Sequence, residues 1–230
     1  MPEKSSPTDE FATASDLEMK SPGTDFPPKV EFFQDATHFH FLREILIPKL
    51  NTASHEKFNV WCCTSATGED PYSISICLRE GLADPESYKI LATDADQNAL
   101  NMAQSGVYKN SRLGALPENL KRSAFAHGTG DISDWVRIKA SYKQNVVFKM
   151  HNLADPSVPN ASFDLIVCRN FSSPSQHFST EIVIQKLFLA AKPNAYLFVG
   201  SADLMTGIKH DWTVVSPTIF QKVIATESNF

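Results

Sequence analysis

The chain has 230 residues, of which 42% are hydrophobic and 20% charged, enough apolar material to bury a full core in one domain with a tail. Its formal charge of -5 comes with no lysine or arginine cluster, which argues against a nucleic-acid footprint. The longest apolar stretches are strand-sized, and the opening MPEKSSPTDE has neither the basic start nor the apolar run of a secretion signal, so no direct membrane insertion is expected.

Residues 1–28 are rich in Ser, Pro, Thr, Asp and Glu with few apolar anchors, and read as a disordered tail. The folded part is expected over 29–230. Phe39, Leu42, Ile45 and Leu46 recur at helical spacing, with Asp35 or Thr37 able to cap, and predict a helix over 37–47. Next come the apolar strand FNVWCCT, a helix from about Pro71 to Gly81, and the strand YKILATD. A strand, a helix and a strand within about 40 residues form a βαβ unit, which is parallel and right-handed. A helix near 95–105 follows, then the strands VVFKMHNL, FDLIVCRN and AYLFVG, with a helix at about 178–191 between the last two. WTVV and IFQKVIA close the chain as a hairpin.

Between 107 and 145 this rhythm breaks. GTGD at 128–131 and the alternating WVRIKA predict a small inserted β-subdomain, about 128–145. Such a ribbon is either an edge loop or a docking place for a peptide added as a strand. The fold class is therefore α/β, a mostly parallel Rossmann-like sheet with a C-terminal antiparallel hairpin. Four cysteines, Cys62, Cys63, Cys77 and Cys168, fall at no C-x-x-C spacing, and two are adjacent in one strand. They read as small apolar residues in a reducing, cytoplasmic compartment, and no metal site is expected.

The stretch WCCTSATGEDPYS, Trp61 to Ser73, delivers a strand end into a small-residue turn and a helix start, where doubly wound proteins bind nucleotide-like ligands. Glu69 and Asp70 would repel a phosphate there, so hydroxyls or a positive charge suit the ligand better. Asp94, at the carboxyl end of the next strand, is placed to accept from ribose hydroxyls, although DADQNAL is also a helix start that an aspartate caps. Neither G-x-G-x-x-G nor G-x-x-x-x-G-K-[ST] occurs, which removes the leading dinucleotide and nucleoside-triphosphate readings. An adenosine joined to a sulfonium fits better than one joined to a diphosphate.

TGEDPYS, LATDAD, the segment HGTGDISDWVRIKASYKQNVVFKMHNL and FDLIVCRN stand in the order and at the intervals of the CheR-type chemotaxis methyltransferases, which the chain resembles over about residues 30–203. The resemblance implies S-adenosylmethionine as cofactor, S-adenosylhomocysteine as product, and methylation of glutamates on a chemoreceptor or receptor-like partner. It places Glu69 and Asp94 at the cofactor, with Asp94 on the ribose, Asn152 and Leu153 beside the adenine, and Arg169 and Asn170 near the methionine part. Asn152 and Asn170 have a second reading, as residues that satisfy loop backbone.

The chain also departs from that family. The Thr-x-Phe-Phe-Arg motif is here Val30, Glu31, Phe32, Phe33, Gln34, and the tyrosine after Cys-Arg-Asn falls at Pro174. The late Gly-His-Ser-Glu is Gly200, Ser201, Ala202, Asp203, and the tail stands where the family has a small helical domain. A carboxylate nucleophile is already ionised at neutral pH, so the lost groups would position rather than accept a proton. Two functions follow: methyl transfer to protein glutamates, or a catalytically decayed module that binds the cofactor or a receptor tail.

Overall fold

The computed structural model describes residues 10–11, 31–52, 57–114, 116–159, 162–169, 179–201, 205 and 207–223. Its strands are β1 (Glu10–Phe11), β2 (Phe58–Cys63), β3 (Tyr88–Asp94), β4 (Val107–Lys109), β5 (Phe125–Gly128), β6 (Trp135–Ile138), β7 (Val146–Met150), β8 (Phe163–Cys168), β9 (Ala191–Val199), β10 (Thr213–Ser216) and β11 (Ile219–Gln221). The α-helices are α1 (Ala36–Phe41), α2 (Ile47–Thr52), α3 (Glu69–Gly81), α4 (Gln97–Ser105), α5 (Glu118–Ala124), α6 (Ala140–Lys143) and α7 (Thr180–Ala190).

The main sheet has seven strands in the order β10-β11-β9-β8-β2-β3-β7. From β9 to β7 every pair is parallel, while β11 and β10 run antiparallel as the expected hairpin. Buried on both faces, the central strands sort their side chains by the two-residue period. Phe58, Val60 and Cys62 of β2 join Ile74, Cys77 and Leu78 of α3 in one cluster, with Phe39, Leu42 and Ile47. Trp61 and Cys63 face the other way, into a cluster with Val183, Ile184 and Leu187 of α7. All four cysteines are free and buried.

The first helix runs further than its pattern suggested. A π-helical turn over Leu42–Leu46 joins α1 to α2, and the helix continues past Pro48 to Thr52. Proline has no N–H to donate into the preceding turn, and a widened turn just upstream is a way to keep the helix going.

The insertion is larger than predicted. β5, β6 and β4 form a second sheet, with β1 parallel on the outer side of β5. β4 was not foreseen, because three residues with one buried side chain, Tyr108, carry no alternation to read. The insertion packs through Tyr108, Phe125, Val136 and Ile138 against Tyr72 and Ile76 of α3. Sandwiched between sheet and insertion, α3 is buried on nearly all sides from Glu69 to Leu78. Its serines are satisfied: Ser73 Oγ donates within the helix to the Glu69 carbonyl, and Ser75 Oγ donates across to the Tyr142 carbonyl.

Within the stretch expected to be a tail, Glu10–Phe11 is thus a strand; residues 1–9 and 12–30 lie outside the described residues.

Candidate functional site

In the main sheet β2 has β3 on one side and β8 on the other, so chain order reverses between β2 and β8. A crevice opens beyond the carboxyl ends of strands at such a reversal. The turn that leaves β2 is unusual: Thr64, Ala66 and Gly68 all have positive φ, at 51°, 44° and 96°. Only glycine tolerates position 68, since a Cβ there would stand 2.9 Å from Ala103 Cβ and from the Tyr108 hydroxyl. Non-glycine residues at positive φ persist where their surroundings over-determine them. Here Thr64 Oγ1 donates to the Arg169 carbonyl after β8 at 2.6 Å, and the Ser65 N–H donates to the Thr93 carbonyl at 2.8 Å. The turn is therefore stitched to both neighbouring strand ends.

Asp94 completes that stitching. One carboxylate oxygen accepts from the Ala66 N–H at 2.8 Å, and the other from the Asp96 N–H at 2.9 Å. Helix α4 is capped instead by Asp96, which accepts from the N–H groups of Asn98 and Ala99. Each ionised carboxylate oxygen offers about two acceptor sites, so Asp94 keeps one on each oxygen for a pair of hydroxyls.

Glu69 is placed differently from its expectation as a direct contact. It is fully buried, and one oxygen is ion-paired to Arg112, while the other accepts from Thr67 Oγ1 at 2.6 Å. Tyr108 donates to the Thr67 carbonyl at 2.8 Å, and burial pushes its phenol well above the usual tyrosine range. Glu69 thus locks the turn against the insertion. Arg112 and Tyr108 were missed by sequence reasoning, since each lies about 40 residues downstream in a segment without motif. Asp70, half-buried, is the next residue of the helix start. Arg169 Nη1 donates to it at 2.7 Å, and burial raises the Asp70 carboxyl while Arg169 pulls it back.

The Phe33 N–H donates to Ser73 Oγ of α3 at 3.0 Å, which sets the segment that follows against α3, and there Asp35 stands 3.6 Å from His38. Gln34 itself is exposed. Asn152 makes an Asx turn, its side-chain oxygen accepting from the Ala154 N–H at 2.9 Å, and Leu153 is buried in the α7 cluster. The His151 N–H donates to the Asp94 carbonyl at 3.0 Å, which brings this loop to the Asp94 end of the crevice. Lys186 of α7 pins it by donating to the Leu153 and Ala154 carbonyls at 3.1 and 3.3 Å. The structure so gathers Glu69, Asp70, Asp94, Asn152, Leu153 and Arg169 around one strand-end crevice. Val30, Asn170 and Pro174 lie outside the described residues. Among the described residues no group of His, Cys, Asp and Glu could hold a metal ion, and no helix is long and apolar enough to cross a membrane.

A switch-point crevice with an acidic strand end and no glycine-rich phosphate loop is the layout of a doubly wound α/β domain. The family model described as CheR methyltransferase, SAM binding domain, matches residues 29–220, and the chain belongs to that family. Its cofactor is S-adenosylmethionine. The chemotaxis protein methyltransferase of Salmonella typhimurium is 32% identical over 193 residues, covering 82% of this chain and 65% of that protein. Chemotaxis protein methyltransferase 2 of Pseudomonas aeruginosa is 32% identical over 197 residues, 82% of this chain and 68% of that protein. The chain so spans about two thirds of the length of these relatives. Among solved structures, PKMT2 from Rickettsia typhi in complex with AdoHcy is 15% identical, with a TM-score of 0.43 over 76% of this chain and 26% of that one.

The residues present fit this cofactor. Asp94 has acceptor capacity left for a ribose diol, and the Ser65 hydroxyl, buried in the turn, has no hydrogen-bond partner among the described residues.

Proposed function

We propose that this domain transfers a methyl group from S-adenosylmethionine to glutamate carboxylates of a chemoreceptor or receptor-like protein. The observation that carries the reading is Asp94 at the strand end, anchored by two backbone donors and still able to accept two hydroxyls. When bound, the cofactor supplies an electrophilic methyl on a sulfonium. The chain's own residues do the rest by placement. Asp94 holds the ribose, Leu153 and the turned Asn152 loop border the adenine, and Asp70, oriented by Arg169, offsets cationic charge. Glu69, balanced by Arg112, keeps the turn in shape and is a positioning residue. No side chain has to accept a proton, because glutamate, with a reference pKa near ~4.3, is ionised at neutral pH. Catalysis is then alignment and electrostatic preorganisation.

A second reading rests on Gln34. In the family an arginine stands there, whereas this side chain is exposed and uncharged, and a lost preorganised contact commonly costs on the order of 10²-fold in rate. On that reading the domain binds cofactor without efficient transfer. Calorimetric titration with S-adenosylmethionine, followed by transfer of labelled methyl to a receptor fragment, separates the two. Binding with transfer supports the enzyme, binding without transfer supports the module, and no binding defeats both.

A further inference from the structure

The turn after β2 is held from three directions. On the β8 side Thr64 Oγ1 reaches the Arg169 carbonyl, and on the β3 side the Ser65 and Ala66 N–H groups reach the Thr93 carbonyl and the Asp94 carboxylate. The last residues before α3 meet the inserted sheet instead. Tyr108 of β4 donates to the Thr67 carbonyl at 2.8 Å. Arg112, in the 3-10 turn Asn110–Leu113 that follows β4, pairs with Glu69 and stands 3.4 Å from Thr67 Oγ1. Gly68 lies between these contacts, where a Cβ would come within 2.9 Å of the Tyr108 hydroxyl. The insertion thus forms one wall of the turn.

That wall is itself fixed by the second sheet. Tyr108 is buried and pairs with Val136 of β6, its ring edge-on to Phe32 at 5.0 Å and to Tyr72 of α3 at 6.3 Å. The Phe32 N–H in turn donates to the Arg112 carbonyl at 3.0 Å. Thr64 and Ala66 hold positive φ, a strain that persists only while the surroundings over-determine it. Loosening one wall lets the turn relax, and a ligand that needs the held shape then binds only the fraction of molecules that keep it.

We propose that Tyr108 and Arg112 are positioning residues for the cofactor, acting through Thr67 and Glu69, so that cofactor binding and the packing of the inserted sheet are coupled. Linkage makes the coupling reciprocal: a ligand that favours the held turn also favours the packing of β4 against it. The inference rests on the cofactor occupying the crevice beyond β2, as proposed above, and does not depend on methyl transfer.

The test is calorimetric titration with S-adenosylhomocysteine of the full chain and of Tyr108→Phe, Arg112→Met, Arg112→Lys and Leu82→Ala, at a temperature where circular dichroism shows them folded. Leu82, buried just past the end of α3 and about 20 Å along that helix from Glu69, controls for lost stability alone. Tyr108→Phe should bind about three- to tenfold more weakly than the parent, the effect of one hydrogen bond lost from the required shape. Arg112→Met should lose more than about tenfold, Arg112→Lys should recover part of that loss, and Leu82→Ala should match the parent. Hydrogen exchange gives a second readout in the parent alone. With ligand at about a hundred times its Kd, the amides of 107–109 and 135–138 should slow at least about threefold, and by more than those of 213–221. Should Arg112→Met fail to fold, Tyr108→Phe and the exchange measurement decide. Binding to the parent with equal affinity in Tyr108→Phe, or without slowing in β4 and β6, overturns the inference and leaves the cofactor site standing. A loss in Leu82→Ala as large as in Tyr108→Phe also overturns it, and no binding to the parent overturns the cofactor reading and the inference together.

Discussion

Replacing Arg112 by Met breaks the buried pair with Glu69 beside the turn after β2, together with a longer contact to Thr67 Oγ1 at 3.4 Å. Glu69 has no exposed surface and Arg112 only 9%, so neither charge is screened by water. In Arg112→Met the aliphatic stem is largely kept, and the backbone bond from the Phe32 N–H to the Arg112 carbonyl does not depend on the side chain. What remains is a buried carboxylate with one partner among the described residues, Thr67 Oγ1. Breaking a buried pair in this way costs about 3–5 kcal/mol, a large share of the roughly 5–15 kcal/mol that holds a typical domain. At ~2–4 °C per kcal/mol for a chain of this length, the midpoint should fall by roughly 6–20 °C in scanning calorimetry. Urea unfolding of the parent, both single variants and Glu69→Gln/Arg112→Met completes a double-mutant cycle. The double variant should regain more than half of the loss, because no buried charge is left unpaired. A change below about 1 kcal/mol in Arg112→Met would refute the reasoning.

Asp94→Ala should weaken S-adenosylmethionine and S-adenosylhomocysteine equally, by about 1–3 kcal/mol in calorimetry, since both ligands carry the ribose; a loss confined to one of them would contradict the assignment. Gly68→Ala forces a side chain into positive φ and to 2.9 Å from Ala103 Cβ, so a destabilisation on the order of 2–5 kcal/mol in urea unfolding is expected. The pH dependence follows from His38. Desolvation by burial lowers its pKa below the usual histidine value, with Asp35 and the Thr218 carbonyl pulling upward and Arg169 downward. The unfolded chain then binds the proton first, so stability should fall as pH drops below ~6.5, and His38→Gln should flatten that part of the curve in urea titrations.

Much of the fold was legible because burial on both faces leaves long apolar runs. FNVWCC, YKILATD and FDLIVC each became a parallel strand, and the turn after β2 with Asp94 across from it marked the crevice. Local patterns failed where tertiary partners decide. Nothing near Glu69 announces that its carboxylate is taken by Arg112, 43 residues away. Asn152 followed the local alternative open to any loop asparagine, accepting from a backbone N–H two residues on. The helix expected over 37–47 runs on through Pro48 to Thr52, after a π-helical turn that its apolar spacing does not reveal. Glu10–Phe11 has too little sequence to signal a strand, and only the β5 edge gives it one.

The central claim is tested most directly by a single-turnover experiment. The full chain is loaded with S-adenosylmethionine carrying a labelled methyl group and mixed with a chemoreceptor fragment rich in glutamate. Methyl esters of carboxylates release methanol in mild alkali, so the label should appear as an alkali-labile, volatile product, and Asp94→Ala should reduce its formation at subsaturating cofactor. Gln34→Arg should raise the rate, because it restores a positioning charge and no proton acceptor was lost. Cofactor binding without any alkali-labile label in the receptor fragment would contradict the account.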